Sequence, residues 1–409
     1  MNTNHKHRTA EITLSITKED KTPLANQEVE ISQTKHKFLF GCTGFSTIPL
    51  ANAELQGAEK EYEELRSQKL LNLFNFITLP FYWGRFEPTR GKPDTKRVLN
   101  TAKFFAERGA LVKGHPLCWH TVTADWLMEM SNEEIIKTQV ERIHRDVTDF
   151  AGVIDTWDVI NEVVIMPVFD KYDNGITRIA KQLGRTGIIR TVFDAARASN
   201  PNATLLLNDF DMSKDYEDLI EACLAEEIKI DALGLQSHMH QGYWGAEKTR
   251  ETLERFSRFG LPIHFTEISL VSGDLMPAEI VDLNDHQVEE WHTKPGAEIR
   301  QAEEAAELYQ ILFEHPAVEA ITYWELRDGG WLNAPSCLIR KDLTNKPAYD
   351  ALMDLIKNQW WLLPTKMVTD NEGKIRLNGY LGDYSISWMD KETSFSVDAK
   401  GVSSVDVTI

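Results

Sequence analysis

Two kinds of hydrophobic pattern divide the chain, one at its ends and one in its middle. In residues 10–38 and 360–409 apolar and polar positions alternate with a period of two, which predicts short strands that bury one face. Turn-prone stretches separate these strands. They are predicted at EITLSITKED and QEVEISQTKHKF near the N-terminus, and at MVTD, KIRLNGYL, DYSISWM, TSFSVDA and SVDVTI near the C-terminus. We expect the two ends to pack together as a small antiparallel β-sandwich.

The middle of the chain repeats a unit of one apolar strand followed by a polar stretch that permits a helix. The eight predicted strands begin near Phe38, Leu73, Ala110, Val153, Thr204, Asp231, Pro262 and Val318. Eight consecutive β/α units are typical of a (β/α)8 TIM barrel in the α/β class. A doubly wound sheet is the main alternative, but its Gly-x-Gly-x-x-Gly turn is missing from the sequence. The predicted organisation is sandwich strands in residues 1–37, a barrel in 38–358, and further sandwich strands in 359–409.

Polar and aromatic residues gather where the predicted barrel strands end. A TIM barrel forms its active site at the C-terminal ends of its strands. Capping of the following helices would explain Asn208 or Asp209 alone, but not all six polar strand ends together. These strand ends are Trp119-His120, Asn161-Glu162, Asn208-Asp209, Gln236-Ser237-His238, Thr266-Glu267 and Trp324-Glu325.

Two of these strand ends carry the carboxylates Glu162 and Glu267, on the fourth and seventh predicted strands. Hydrolysis of a glycosidic bond uses one carboxyl group to protonate the leaving oxygen and another to attack the anomeric carbon. The acid needs a raised pKa, which a desolvating wall of Trp119, Trp157 and Trp324 would supply. Aromatic rings also stack on sugar rings. The pattern therefore favours a glycoside hydrolase, although a single carboxylate is more often a surface or ion-pair residue.

Charge and composition narrow the choice of partner. The 409 residues carry a formal charge of −19, so the chain lacks the basic face that nucleic acid or anionic lipid requires. A neutral or cationic substrate fits this charge better than a polyanion. The sequence contains no run of about 18 apolar residues, so we expect no membrane span. We expect a monomer or a weak oligomer.

The cysteines and the N-terminal segment carry little further information. Cys42, Cys118, Cys223 and Cys337 form no Cys-x-x-Cys pair, so we expect four reduced thiols and neither a zinc site nor a disulfide framework. The segment MNTNHKHRTAEI lacks the apolar core of a signal peptide. The protein is therefore expected either in the cytoplasm or secreted with its leader removed.

Several motifs resemble glycoside hydrolase family 10, the endo-β-1,4-xylanase family, in their order and spacing. This resemblance implies a TIM barrel, a retaining mechanism, a carbohydrate substrate such as xylan, and no metal or organic cofactor. The resembling segments are Glu87-Pro88 with Gly91, GHPLCWH (114–120), WDVINEV (157–163), LLLND (205–209), QSHMH (236–240), TEIS (266–269), ITYWEL (321–326) and KPAYDAL (346–352).

The resemblance also implies roles for individual residues. Glu162 would be the acid/base and Glu267 the nucleophile, with Asn161 bonded to the sugar 2-hydroxyl at the cleavage site. Retention of configuration would follow if the carboxyl groups lie about 5–5.5 Å apart. The other residues implied at the substrate are Trp119, His120, Gln236, His238, Trp324 and Trp331.

Two departures from the family pattern concern the substrate. Most xylanases of the family carry Glu, Asn and Lys on the second strand, where these side chains bind the next sugar on the non-reducing side. Those positions here are Thr78, Leu79 and Tyr82, followed by the retained Trp83. We therefore expect weak activity on plain xylan and a different or shorter glycone, with Tyr82 and Trp83 beside it. The family also usually has Asp where this chain has Ser269, which is expected to shift the pH optimum.

Two alternatives remain open at this point. A metal hydrolase would use His238 and His240 with His115 and His120 as ligands, although neutral imidazoles bonded to sugar hydroxyls explain these residues better. A carbohydrate-binding protein that has lost catalysis is the second alternative. The presence of both candidate carboxylates argues against it. The long segment after the seventh strand would either bring Trp291 and His292 over the leaving group or form ordinary surface.

Overall fold

The structure is a computed structural model that describes residues 3–409. These residues form strands β1 (Thr9–Thr17), β2 (Glu28–His36), β3 (Leu39–Thr43), β4 (Phe76–Pro80), β5 (Leu111–His115), β6 (Ile154–Asn161), β7 (Thr204–Asp209), β8 (Ala232–Met239), β9 (Ile263–Leu270), β10 (Val318–Tyr323), β11 (Thr365–Val368), β12 (Lys374–Tyr380), β13 (Gly382–Trp388), β14 (Lys391–Val397) and β15 (Gly401–Thr408).

Ten α-helices connect or flank these strands within the described residues. They are α1 (Ile48–Ala51), α2 (Gly57–Leu73), α3 (Trp83–Phe86), α4 (Thr95–Ala106), α5 (Asn132–Phe150), α6 (Gly175–Ser199), α7 (Lys214–Ala225), α8 (Gly245–Ser257), α9 (Pro295–Glu314) and α10 (Pro347–Asp354). Short 3₁₀ turns cover Thr3–Arg8, Phe45–Thr47, Asp125–Glu129, Met166–Val168, Leu283–Asp285 and Trp331–Asn333, and a π turn covers Leu355–Gln359.

Eight parallel strands, β3 to β10, close into a barrel in which β10 pairs with β3. Each overlaps one of the eight strands predicted from the sequence, so the predicted TIM barrel is confirmed. The strands are buried on both faces because one face packs inside the barrel and the other meets the helices. On β9, for example, all eight positions are buried.

Helix α5 packs on the barrel through one apolar face. On α5, Ile135, Ile143 and Val147 are fully buried, while the opposite face is charged. Ser131 begins this helix with a reciprocal cap: its hydroxyl accepts the backbone N–H of Glu134, whose carboxylate accepts the backbone N–H of Ser131. Such a cap fixes where the helix begins and hence the length of the loop above the barrel rim.

The chain ends form two sheets that share one apolar core, as predicted. The sheets have the strand orders β12-β1-β15 and β11-β2-β13-β14. Their core includes Ile12 and Leu14 of β1, Ile31 of β2 and Ile386 of β13. One detail differs from the antiparallel prediction, because β1 and β15 run parallel. Period-two alternation reports which face of a strand is buried, but not the direction of its neighbour.

Two irregularities interrupt the barrel strands just before the candidate carboxylates. Between β6 and β7 the pairing shifts by one residue between Asp158 and Ile160. Between β8 and β9 it shifts again, so that Gln236 faces Glu267 although its neighbour Leu235 faces Phe265. A bulge of this kind inserts one residue and turns the following side chains to the other face of the strand.

Two expectations about the chain as a whole can be compared directly with the structure. All four cysteines are buried and free, as expected. Among residues 3–409, we find no helix that combines the length and the apolar character needed to cross a membrane.

Candidate active site

Glu162 follows the last residue of β6 at the mouth of the barrel. Its φ of 58° is uncommon for a residue with a side chain, and a backbone N–H···O bond to Asn208 (2.9 Å) holds it there. Three donors reach its carboxylate. Trp119 Nε1 donates to Oε2 (2.9 Å), while Asn161 Nδ2 (3.0 Å) and Gln236 Nε2 (3.3 Å) donate to Oε1. These bonds fix the direction in which the carboxyl group points.

Glu267 lies on β9 and is only 4% exposed. Asn208 Nδ2 donates to its Oε1 (3.0 Å), and His238 Nε2 lies 3.0 Å from its Oε2. A second imidazole approaches from β5, with His115 Nε2 4.0 Å from Oε1. The carboxylate is therefore enclosed by one amide and two imidazoles.

Two asparagine amides connect the candidate carboxylates. Asn208 Nδ2 donates to Glu267 and also to Asn161 Oδ1 (2.7 Å), while Asn161 Nδ2 donates to Glu162. Thr266 Oγ1 donates to Asn208 Oδ1 (2.6 Å), which fixes the orientation of that amide. A fully satisfied network of this kind holds both carboxyl groups in a defined geometry before substrate binds.

The two carboxyl groups have pKa values shifted in opposite directions. Burial raises the pKa of Glu162 to about 8; the Trp119 bond opposes this shift, and the negative charge of Glu267 adds to it. Burial also acts to raise the pKa of Glu267, but His115 and the bond from His238 outweigh it and hold the pKa below its usual value. Near neutral pH, Glu162 therefore keeps a proton while Glu267 is ionised, which matches an acid and a nucleophile.

His238 links Glu267 to the unusual residue after it. His238 Nδ1 lies 3.0 Å from Ser269 Oγ, at the position where the resemblance led us to expect a carboxylate. A serine hydroxyl can serve as donor or acceptor, so it satisfies the imidazole without adding charge.

Replacing Ser269 with Asp would put a carboxylate beside His238 and favour the imidazolium form. That positive charge would stabilise ionised Glu267, so the acid limb of the profile of kcat/KM against pH should move down by up to about one unit. Ser269→Ala adds no charge and is the matched control. An acid limb that stays in place in the Asp variant, or that moves equally in both, would contradict the role given to His238.

A buried charge chain beneath Glu267 was missed at the sequence level. Asp158 Oδ2 lies 2.8 Å from His115 Nδ1 and 2.7 Å from Lys113 Nζ, and all three side chains are at most 2% exposed. Burial opposes ionisation of Asp158, but Lys113 and His115 lower its pKa overall. The sequence could have indicated this buried ion pair, because Lys113 and Asp158 are charged residues within predicted strands that are otherwise mainly apolar. Such residues are almost never buried unless they are paired.

Replacing Lys113 with Met would leave Asp158 buried with only His115 as a partner. Removing one member of a buried ion pair costs about 3–5 kcal/mol, and we expect a loss of this size in the free energy of unfolding in urea. The control is Lys137→Met on α5, whose lysine is 77% exposed and 3.7 Å from Glu141. This control should cost under about 1 kcal/mol. Equal losses in the two variants would show that the buried charge chain is not stabilising.

Aromatic rings line the mouth around the carboxylates. The ring centroids of Tyr82 and Trp119 are 5.5 Å apart, and Trp324 lies edge-on to His115 at 5.4 Å. Trp331 lies 4.5 Å from His238. The structure therefore brings these four predicted aromatic residues to the histidines and carboxylates of the site.

His120 lies at the edge of this group rather than against a carboxylate. Its ring centroid is 4.5 Å from that of Phe169 and 6.2 Å from that of Trp119. Its Nδ1 is buried without a hydrogen-bond partner among the described residues, and burial lowers its pKa to about 4. A neutral imidazole with a free nitrogen suits a hydrogen bond to a sugar hydroxyl.

Two tryptophans predicted at the site face elsewhere. Trp157 is fully buried against Phe81 and Phe150, so it packs between the barrel and α5 and is not part of the wall around Glu162. Trp83 is also buried, with its indole N–H directed to Glu87 (3.3 Å) and its ring between Trp126 and Arg142. These contacts correct the expectation that Trp83 lies beside the glycone.

The long segment after β9 joins the loops around the mouth. Lys171 Nζ, in the loop after β6, lies 2.5 Å from Asp282 and 2.7 Å from Asp285. Trp331 Nε1 donates to Asn284 Oδ1 (3.1 Å). Of the two residues considered in this segment, Trp291 packs against His240 (6.0 Å between ring centroids). His292 is an exposed surface residue.

The histidines considered as metal ligands are engaged differently in the structure. His238 contacts Glu267 and Ser269, and His115 contacts Asp158. Within residues 3–409, His, Cys, Asp and Glu side chains do not gather into a group of three or more with the geometry of a metal site.

Comparison with known proteins agrees with this fold. The chain is 27% identical over 369 residues to endo-1,4-beta-xylanase C of Paenibacillus barcinonensis, covering 79% of this chain and 32% of that protein. It is 26% identical to an endo-1,4-beta-xylanase/feruloyl esterase of Xylanibacter ruminicola, covering 63% of this chain and 39% of that protein. It is 24% identical to endo-1,4-beta-xylanase B of Thermotoga neapolitana, covering 77% and 86%. The chain thus spans under two fifths of the length of the first two relatives.

Solved structures share the fold. A family 10 structure from Paenibacillus barcinonensis superposes with a TM-score of 0.65 at 24% identity, covering 78% of this chain and 95% of that one. Xylanase 10B from Thermotoga petrophila in complex with xylobiose gives a TM-score of 0.64 at 21% identity, covering 79% and 95%. The family model described as "Glycosyl hydrolase family 10" matches residues 50–355, which is most of the chain and nearly all of the barrel. The chain therefore belongs to glycosyl hydrolase family 10.

Proposed function

We propose that this chain is a retaining hydrolase of β-linked glycosides that acts on xylan or xylo-oligosaccharides. The observation that supports this most strongly is the pair Glu162 and Glu267. They are joined through two amides and have pKa values shifted in opposite directions. Family membership and the endo-1,4-beta-xylanase names of the relatives support the same substrate class.

In the first step, the Glu267 carboxylate attacks the anomeric carbon while the Glu162 carboxyl group gives its proton to the glycosidic oxygen. The carbon–oxygen bond to the leaving group breaks, and a covalent glycosyl-enzyme forms on Glu267. Asn161, whose Oδ1 already accepts bonds from Asn208 and Gln236, would bond the sugar 2-hydroxyl.

In the second step, the Glu162 carboxylate takes a proton from water, and the resulting hydroxide attacks the anomeric carbon. The bond to Glu267 breaks and Glu267 leaves as a carboxylate. Once the sugar is bonded to Glu267, the charge of that carboxylate is gone and no longer adds to the raised pKa of Glu162. The same residue can therefore serve as acid in the first step and as base in the second.

The second barrel strand supports the proposal of an altered glycone. Thr78 and Leu79 are completely buried, and the Thr78 hydroxyl has no hydrogen-bond partner among the described residues. Tyr82 contributes an aromatic ring that contacts Trp119 and His115. No charged group on this strand faces the glycone. A xylan chain therefore lacks the hydrogen bonds that such groups would make to its hydroxyls, each worth about 0.5–1.5 kcal/mol, or more with a charged partner.

The test is turnover on aryl β-glycosides of xylose, glucose and other sugars, together with xylan and xylo-oligosaccharides, using Glu162→Ala as control. We expect cleavage of at least one xylose-containing member, loss of that activity in the control, and no change on adding EDTA. Proton NMR of the first-formed product should show the β-anomer. An α-anomer would exclude the retaining mechanism, and complete inactivity would favour a carbohydrate-binding protein.

A further inference from the structure

A separate cavity opens at the barrel mouth between the end of β3, helix α2 and the loop after β10. Its volume is about 140 Å³, well above the roughly 10–15 Å³ that one water needs. The residues of its wall that matter here are Phe45, Thr47, Arg66, Ser67, Glu325 and Arg327. Charged side chains of helix α2 and of the loop after β10 thus face the same cavity.

The cavity adjoins the candidate active site on the side of strand β4. Phe45 lies in its wall and also contacts Tyr82 (5.9 Å between ring centroids) and Trp324 (5.7 Å). Glu325 directly follows Trp324, and its negative charge contributes to the raised pKa of Tyr82. A sugar unit next to the one held by Trp324 would therefore reach this cavity.

The cavity carries the charges that strand β4 lacks. Thr78, Leu79 and Tyr82 on the β4 side are all uncharged. Arg66, Arg327 and Glu325 face the cavity from the adjacent elements. Arg66, Arg327 and Glu325 therefore place charged groups beside a part of the mouth where β4 itself has none.

The two guanidinium groups have more donors than the protein satisfies. Arg66 pairs with Glu63 (2.5 Å), yet its Nε is buried without a hydrogen-bond partner among the described residues. Arg327 Nε is likewise buried and unpartnered within residues 3–409. A buried donor left unpaired costs free energy.

Glu325 is fixed in the wall of this cavity. One of its oxygens accepts the backbone N–H of Trp331 (2.8 Å), and burial raises the pKa of its carboxyl group. Gly330 leaves room for this carboxyl group, because a Cβ there would lie 1.4 Å from Glu325 Oε2.

We propose that this cavity is a glycone subsite for a sugar unit bearing a carboxylate, which binds the guanidinium groups of Arg327 and Arg66. The planar fork of arginine matches the two oxygens of a carboxylate. This assignment rests on the proposed glycosidase function and names its substrate more closely as a β-linked chain that contains acidic sugar units.

The charge of the whole chain limits how acidic that substrate is. A polyanion would be repelled by a protein with a formal charge of −19. One carboxylate held within the cavity is different, since charges beyond about 8 Å are largely screened at physiological ionic strength. The fitting substrate is a mainly neutral chain with isolated acidic units.

The test compares three aryl β-disaccharides whose non-reducing unit is xylose, glucose or glucuronic acid, with the same xylose at the cleavage site. Wild-type kcat/KM should be about 10- to 100-fold higher for the glucuronic acid compound than for the glucose compound. Arg327→Gln should bring this ratio close to one, because the guanidinium group that favours the acidic sugar is lost. Arg376→Gln, at an exposed position on β12, is the matched control and should keep the wild-type ratio.

The outcomes separate this proposal from the function on which it rests. Cleavage of the neutral compounds at a rate equal to or above that of the acidic one would overturn the acidic subsite and leave the glycosidase intact. This comparison needs only the wild type, so it holds even if the Arg327 variant does not fold. A folded Arg327→Gln variant that keeps the preference would also overturn the proposal. Inactivity on all three compounds and on the aryl β-xyloside would instead refute the glycosidase function itself.

Discussion

Glu267→Ala is expected to lower kcat by at least about 10⁴-fold on any substrate that the wild type cleaves, because no other group can form the glycosyl-enzyme. The fold should persist, since the change removes a buried carboxylate and leaves the barrel core untouched. Turnover of an aryl glycoside and the thermal unfolding midpoint would measure the two effects. Turnover within tenfold of wild type in a folded variant would exclude Glu267 as the nucleophile.

A small anion provides a positive control for this variant. Azide or formate can occupy the space left by the side chain and attack the anomeric carbon from the same face. We expect such an anion to restore part of the turnover of an activated aryl glycoside, with azide giving an α-glycosyl azide. In Glu162→Gln, Glu267 still occupies the attacking position, so azide should not attack the substrate directly. No α-glycosyl azide is therefore expected from that variant.

Glu162→Gln is expected to act selectively according to the leaving group. General acid catalysis contributes about 10²- to 10⁴-fold, so cleavage of xylo-oligosaccharides, whose leaving alkoxide needs a proton, should fall by that amount. Formation of the glycosyl-enzyme from a dinitrophenyl glycoside needs no proton and should be nearly unchanged in a pre-steady-state burst. An equal loss on both substrates would contradict the acid role.

The dependence of kcat/KM on pH tests the acid role of Glu162 independently. The wild-type kcat/KM should fall on the alkaline side as Glu162, with a pKa of about 8, loses its proton. The acid limb should lie below the usual range of a glutamate because the pKa of Glu267 is lowered. In Glu162→Gln the alkaline limb should disappear while the acid limb remains.

The barrel and its functional rim were predictable because six of the eight predicted strands carry two separate sequence signals. An apolar run of strand length marks the segment, and a polar or aromatic residue marks the end at which it opens to the site. Glu162 and Glu267 follow this rule, and the structure joins them through Asn161 and Asn208. The sandwich strands were predictable from period-two alternation, but the parallel pairing of β1 with β15 was not.

The errors at Trp157 and the omission of Asp158 have one physical cause. In a regular strand every second residue faces the same side, so Trp157 would face the site together with Asn161, and Asp158 would face the helices. The bulge between Asp158 and Ile160 inserts one residue and reverses these faces, so Asp158 faces the barrel interior and Trp157 faces the helices. A bulge depends on pairing with the neighbouring strand, and a single strand's sequence does not reveal it. The charges on Lys113 and Asp158 still favoured a buried ion pair.

The arrangement of the sandwich strands also bears on how the chain is made. β1 lies between β12 and β15, and β2 lies between β11 and β13, so both early strands occupy inner positions whose neighbours come from the last 45 residues. At about 5–20 residues per second, a ribosome needs roughly 20–70 s between them. During that time β1 and β2 have no partner on either edge, a state that invites aggregation. Strands β1 and β2 thus reach their final pairing only after residues 365–409 have been made.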